Sequence, residues 1–245
     1  FAVNQIVHRS NDRLMHDVEV CVRMEVPIVI TSLGAREEVN QAIHTYGGVV
    51  MHDIINDVFA HKAIAKGADG LIAVAAGAGG HAGTISPFAL IQEIRAWFDG
   101  PVALSGAIAT GGAVLAAQAM GADFGYIGSA FIATHEANAA DAYKQMLVDS
   151  AAGDIVYTNL ITGVHGNYLK ASLIKAGLDP ENLPANAPSM DFGSKRAWKD
   201  IWGAGQGVGA VRDIVPAAAL VARLAAEYAA ARNRLGLAVP SARAA

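Results

Sequence analysis

Charge and sulfur are scarce in this chain: 16% of its 245 residues are Asp, Glu, Lys or Arg, and Cys21 is the single cysteine. One cysteine builds no disulfide framework, and its apolar, helix-patterned surroundings read as a buried inert thiol rather than a nucleophile. The eighteen basic residues fall short of the twenty-two acidic ones, giving a net charge of -4. No basic stripe is present to neutralise a phosphate backbone, so no nucleic-acid partner is expected. Long hydrophobic runs are missing too. Stretches such as residues 71–78 are far shorter than the roughly 20 apolar residues of a membrane span, and no basic-then-apolar leader opens the chain, so the expectation is a cytoplasmic protein without a membrane partner. What is plentiful is apolar residues, at 53%, and glycine, with 26. That composition excludes disorder and fibrous repeats, and at this length roughly two thirds to three quarters of the unfolded surface can be buried. A single domain over residues 1–245 is the expectation.

Apolar runs of strand length recur about 20 to 30 residues apart, at Phe1–Val7, Pro27–Leu33, Gly48–Ile54, Gly70–Ala76, Pro101–Ile108 and Phe124–Phe131. Amphipathic, helix-patterned stretches lie between them: residues 12–24, 37–46, 58–66, 87–98 and 112–120. The apolar runs do not alternate with polar residues, as expected of parallel strands covered on both faces. An α/β fold of repeated β/α units follows, either a closed barrel or an open doubly wound sheet. The polar residues favour the barrel, because Asn4, Ser32, His52 with Asp53, His81, Ser105 and Ser129 all fall at or just past successive strand ends, which a barrel gathers into one ring. Six such units are visible where a (β/α)8 barrel needs eight. The chain opens at Phe1 in a strand pattern without Met, so the expectation is a TIM-type barrel lacking its first two βα units, with a seam beside the strand at Phe1. Residues 1–135 and a C-terminal helix at 214–235 would form the barrel body. Residues 136–205 would form a helical and loop cap, with a long loop at 159–193 rich in Gly, Pro and Asn.

The stretch Ala75-Ala-Gly-Ala-Gly-Gly-His-Ala-Gly83 follows the fourth run. Its glycines let backbone pass close to a flat ligand while His81 projects into the pocket, where an imidazole suits proton abstraction near neutral pH. The alternative is a glycine-rich turn in which His81 bonds a neighbouring carbonyl. Ser105-Gly-Ala-Ile108 and Gly125-Tyr-Ile-Gly-Ser129 sit in the last two strand-loop junctions, where barrels hold phosphate on backbone N–H groups. They imply a phosphorylated cofactor or substrate. No G-x-G-x-x-G follows the first strand, no G-x-S-x-G elbow occurs, and the eight histidines show no H-x-x-x-H or H-E-x-x-H spacing, so dinucleotide, triad and metal chemistry are not expected. His52 and Asp53 are strand neighbours and must face opposite sides. Thr162-Gly-Val-His-Gly-Asn-Tyr168 reads either as a structural turn or as a substrate-facing lid carrying His165, Asn167 and Tyr168.

Phe1-Ala-Val-Asn4, Ala78-Gly-Gly-His-Ala-Gly83, Ser105-Gly-Ala-Ile108, Gly121-Ala-Asp with Gly128-Ser129, Phe131-Ile-Ala-Thr134 and Trp202-Gly-Ala-Gly-Gln206, in this order, resemble the nitronate monooxygenases, formerly called 2-nitropropane dioxygenases. The resemblance covers roughly residues 1–235. It implies an FMN-dependent TIM barrel that oxidises alkyl nitronates, and nitroalkanes, with dioxygen. By the same resemblance His81 is the catalytic base, Ser105, Gly106, Ala107, Gly128 and Ser129 hold the FMN phosphate, and Asn4, Asp53 and Gly79 lie against the flavin. The family also contains NADH:quinone reductases and a flavin-dependent enoyl-thioester reductase, so an NAD(P)H-dependent reductase is the alternative activity. Asp53 stands where one quinone-reductase branch has a lysine, which argues against that branch. The resemblance also implies two initial βα units carrying a Gln-Ala-Pro-Met-like flavin contact, which this sequence does not contain. From another class, the chain reads as an incomplete, cofactor-free barrel with a binding role or no activity. A homo-oligomer is compatible with each reading.

Overall fold

The computed structural model describes residues 1–184 and 200–237. In chain order it begins with β1 (Ala2–Ile6), α1 (Leu14–Arg23), β2 (Ile28–Ser32), α2 (Glu37–His44), β3 (Val49–Ile54), α3 (Asp57–Ala65) and β4 (Gly70–Val74). There follow β5 (Gly80–His81), α4 (Pro87–Arg95), β6 (Val102–Ser105), α5 (Gly111–Ala119), β7 (Phe124–Gly125) and α6 (Ser129–Ile132). The remainder is α7 (Asp141–Val148), β8 (Ile155–Thr158), β9 (Gly166–Leu169), α8 (Lys170–Lys175) and α9 (Ala217–Arg234). The chain packs as two compact units, interleaved in sequence: residues 1–76, 83–105 and 120–124 in the first, and residues 77–82, 106–119 and 125 onward in the second.

The first unit is built on the sheet β1-β2-β3-β4-β6-β7, laid down in chain order with a helix after each of its early strands. β1 through β4 and β6 pair in parallel. β1 is an edge strand of this sheet. One sheet face packs on the helices. There Cys21, Val26, Val29, Ile43 and Val50 form one cluster, and Val7, Leu14, Val18 and Val39 another. The opposite face carries Ile30, Ile72 and Ala103, with Met51 and Val74 against them. Carboxylates and an arginine fix the returns at the amino-terminal ends of the strands. Asp69 accepts from the Val50 N–H at 2.7 Å. Arg95 donates to the Phe98, Gly100 and Gly121 carbonyls while pairing with Asp123, which itself accepts from the Val102 N–H.

In the second unit α5 lies on α9 at Gly111, where a Cβ would come within 2.0 Å of the Leu224 carbonyl oxygen. Only glycine allows that approach, and Glu227 Oε2 accepts the Gly111 N–H at 2.8 Å. The unit's core joins Leu147, Leu169, Trp202, Val208 and Leu220, with the Tyr143 ring stacked on Trp202 at 4.9 Å. A three-stranded antiparallel sheet, β5-β9-β8, completes it.

Three sequence expectations change. The run Phe124–Phe131 is a strand only at Phe124–Gly125, and Ser129–Ile132 is a short helix started at Gly128. The span expected as loop, 159–193, contains strand β9 and helix α8 among its described residues, and residues 185–193 lie outside the described residues. β9 forms because all four of its residues are buried and paired with β8, and Gly166 and Asn167 also with β5, an influence from distant chain that outweighs its local Gly-Asn composition. The C-terminal helix begins at Ala217, after Pro216. No described helix is long and apolar enough to cross a membrane.

Candidate active site

The two-residue side-chain alternation of strands sorts the polar residues of the first unit into two sets. Gln5, Thr31 and His52 stand opposite one another in register and turn to the helix side. Gln5 reaches Cys21 Sγ at 3.4 Å, and Thr31 Oγ1 lies 2.5 Å from His52 Nδ1. Burial pushes the His52 pKa down to about 4, so this imidazole is a neutral core group. Asn4, Ser32, Asp53 and Ser105 fall on the other face, two residues along from Ile30, Met51 and Ala103 or in register with them. His52 and Asp53 face opposite sides of the sheet, as strand neighbours must, and Asp53 is the one on the face of Ile30, Ile72 and Ala103.

Ser32 links its neighbours, donating to Asp53 Oδ2 at 2.7 Å and lying 3.3 Å from Asn4 Oδ1. Burial raises the Asp53 pKa to about 6, against the opposing hydrogen bond from Ser32. A carboxyl so placed changes charge near physiological pH. Sequence reasoning noted Ser32 as a strand-end residue without giving it a role, because its pairing to Asp53 depends on strand register.

The second unit gathers the glycine-rich loop with three other segments. Gly77, in the left-handed region at φ +83°, presents its carbonyl to the Ala107 N–H at 3.2 Å and the Gln206 N–H at 2.8 Å. Gly106 and Ala107 both have positive φ, 146° and 55°. A left-handed alanine is uncommon and costs of order 1 kcal/mol, so the contacts around this turn must hold it. At Gly79 a Cβ would lie 2.7 Å from the Gly205 nitrogen, so that edge of Gly79 is needed for backbone packing. The Gly205 N–H donates to Ser129 Oγ at 2.9 Å, leaving the Ser129 hydroxyl proton for another acceptor.

His81 lies on β5, opposite Gly166. Its Nε2 is 2.8 Å from Thr162 Oγ1, and burial lowers its pKa, so the ring is neutral at neutral pH. Asn167 is buried, its amide donating to the Ala78 carbonyl at 2.6 Å, which ties β9 to the glycine loop. Tyr168 is also buried, at 0% exposure, and packs with Leu173 and Ile201. These placements make Asn167 and Tyr168 supports of the loop rather than groups on a lid surface. His165 is exposed and stacked on Tyr157 at 5.1 Å. Thr162 and Gly77 carry the loop's contacts and were not singled out from the sequence. The signal was present only as the Thr and Gly of quoted motifs.

Gly79, Ala107 and Gly128 are exposed, and the position of a Gly128 Cβ has no neighbour within 4 Å. The Ser129 and Ala130 N–H groups open the first turn of α6, where intrahelical acceptors are lacking. Open glycine backbone, first-turn N–H donors and a hydroxyl with a proton to give are a donor set that fits a phosphate.

Known proteins are similar to this chain over most of its length. A solved structure described as nitroalkane oxidase from Streptomyces ansochromogenes is 28% identical, superposes with a TM-score of 0.77, and covers 89% of this chain and 68% of its own. FabK from Thermotoga maritima, at 23% identity, shares the fold with a TM-score of 0.78 over 96% of this chain and 78% of its own. Nitronate monooxygenase of Paraburkholderia phytofirmans is 31% identical over 183 residues, which is 66% of this chain and 50% of that protein. The chain spans about half the length of the curated relatives it matches. The class defined by fold and site is thus an α/β protein of the β/α-barrel type, with a glycine-loop histidine beside a phosphate-compatible turn. Within that class the chain belongs to the nitronate monooxygenase family, whose model matches residues 2–227.

Proposed function

We propose that this chain serves an FMN-dependent oxidoreductase that oxidises alkyl nitronates, and nitroalkanes after loss of their α-proton, with dioxygen as electron acceptor. The observation that carries the reading is His81: a neutral imidazole, anchored at Nε2, on a glycine loop tied through Gly77 to the turn at Ala107. A neutral imidazole can take the acidic α-proton of a nitroalkane, a role worth about 10²–10⁴-fold in rate. Family membership supports the same reading. FMN, when bound, supplies the electron-accepting ring, which no side chain of the protein can replace. Gly106, Ala107, Gly128 and Ser129 are assigned its phosphate. Ser105 is assigned to the phosphate with them, Gly79 is assigned a backbone contact, and Asn4 and Asp53 are assigned flavin contacts, all by the family resemblance. His165 is the exposed residue of its segment and is assigned to substrate, while Asn167 and Tyr168 serve it indirectly by fixing the loop.

The test is direct. Purified protein is scored for flavin absorbance, for oxygen uptake with propionate 3-nitronate, and for anaerobic bleaching by NADH. Flavin with nitronate-dependent oxygen uptake is expected. Bleaching by NADH without nitronate turnover would replace the reading with a reductase, and a colourless protein unable to take up added FMN would end both.

A further inference from the structure

Asp53 stands on an apolar sheet face with little to compensate its charge. Strands β1, β2, β4 and β6 put Asn4, Ile30, Ser32, Ile72, Ala103 and Ser105 on that face, and none of these is charged or titratable. His52, its titratable neighbour on β3, turns to the helix side and bonds Thr31. Ser32 gives the carboxyl its single hydrogen bond among the described residues, at 2.7 Å to Oδ2, and Oδ1 has none there. A carboxylate with one hydroxyl donor and no cation is poorly compensated, so burial holds the proton on Asp53 up to about pH 6 while Ser32 pulls the other way. Two forms are therefore within reach near neutral pH. The ionised form brings a negative charge to this face, and the neutral form brings an O–H donor instead.

We propose that Asp53 sets how readily the bound flavin accepts electrons: ionised, it opposes the negative charge that reduction brings to the ring, and by taking a proton from solvent it removes that opposition. The inference rests on the reading of Asp53 as a flavin contact. Like charges held close in a poorly solvated site disfavour each other, so the arrival of the second raises the hold of the first on a proton. Charge beside the ring is one of the means by which a protein tunes a flavin. Two electrons come from the substrate, a proton passes from solvent to the Asp53 carboxylate, and that proton returns to solvent when the electrons leave for the acceptor. Below pH 6 the acid is already neutral, and the coupling is lost. Ser32 is a positioning residue in this scheme. Its hydroxyl favours the ionised form and so sets the pH at which the coupling begins.

The test is the two-electron reduction potential of the flavin-loaded protein, measured anaerobically against a reference dye from pH 5 to pH 8. Asp53→Asn carries no charge at any pH. Its flavin should match the wild type at pH 5 and be about tenfold or more easier to reduce at pH 8, a shift of about 30 mV. Asp53→Glu should keep the wild-type pH dependence, and Ser32→Ala should move the divergence from Asp53→Asn to higher pH. Near pH 6.5 the reduced-minus-oxidised infrared difference spectrum of the wild-type protein should show the C=O stretch of a carboxyl that has gained a proton. Potentials of wild type and Asp53→Asn that agree at every pH, an offset that does not change with pH, or a variant harder to reduce overturns the proposal. If the variants do not fold, the wild-type infrared spectrum decides, and a spectrum without the gained carboxyl proton overturns it. A protein that takes up no FMN overturns the cofactor reading and the inference with it, an outcome seen before any potential is measured.

Discussion

Asp53→Asn isolates the energetic cost of keeping a carboxylate on the apolar-lined sheet face. The folded protein holds the Asp53 proton up to about pH 6, whereas the unfolded chain releases it near 3.8. Between those values the folded state binds more protons than the unfolded state, so stability falls as pH rises through the window. Roughly two pKa units correspond to about 3 kcal/mol, and partial access of solvent lowers this to about 1–3 kcal/mol. Asparagine keeps the shape and still accepts from Ser32, but it has no charge to bury. The variant should therefore match the wild type near pH 4 and gain stability over it progressively, reaching a plateau of about 1–3 kcal/mol above pH 6 to 7. Neighbouring His52 has the opposite slope, since its pKa falls from 6.5 to about 4 and stability is lost as pH drops through that range. Removing Asp53 alone should unmask that rise. Urea titrations at matched flavin content, followed by Trp fluorescence at pH 4.5, 5.5, 6.5 and 7.5, measure the difference. A constant offset across pH, or an asparagine variant that is weaker at pH 7.5, would refute the burial argument.

Further expectations concern packing and catalysis. Gly111→Ala should destabilise by about 1–3 kcal/mol, because its methyl has no room against the α9 backbone. Gly112→Ala, where the nearest atom is 3.8 Å away, should instead stabilise by about 0.4–1 kcal/mol, and paired thermal melts check the contrast. Asn167→Ala leaves the Ala78 carbonyl without its side-chain donor and should cost about 1–3 kcal/mol, with faster hydrogen exchange in residues 77–82 as the local readout. Since burial lowers the His81 pKa, the acidic limb of kcat/KM on a neutral nitroalkane should fall below pH 6.5, and a limb above that value would contradict a neutral buried imidazole.

The strands of the first unit were legible because each is a continuous apolar run stopped by a turn residue. The expected runs overshoot β1 and β2 by one residue at each end and β3 by one residue at its start. At Pro101–Ile108 the run continues into Gly106 and Ala107, whose positive φ ends the strand where hydrophobicity alone does not. At Phe124–Phe131 the same pattern fails because Gly128 starts a helix whose apolar residues, Ala130 among them, join the core of the second unit. Candidate residues were legible where chemistry and loop position coincide, as at His81 and Asp53. Thr162 and Ser32 were not, because what matters in each is a hydrogen bond to a residue 81 and 21 positions away, set by pairing that a local reading does not contain. The burial of Asn167 and Tyr168 escaped for the same reason: polar residues in a glycine-rich stretch resemble a solvent-facing loop until the strand on each side is known.

The central claim is that His81 removes a proton from carbon on the way to oxidation. Steady-state oxygen uptake by wild-type protein and His81→Asn, each with a neutral nitroalkane and with its preformed nitronate at equal flavin content, addresses it most directly. The account predicts a loss of about 10²–10⁴-fold on the neutral substrate and a much smaller loss on the nitronate, which has no proton left to give. Equal losses on the two substrates, or none on either, would contradict it.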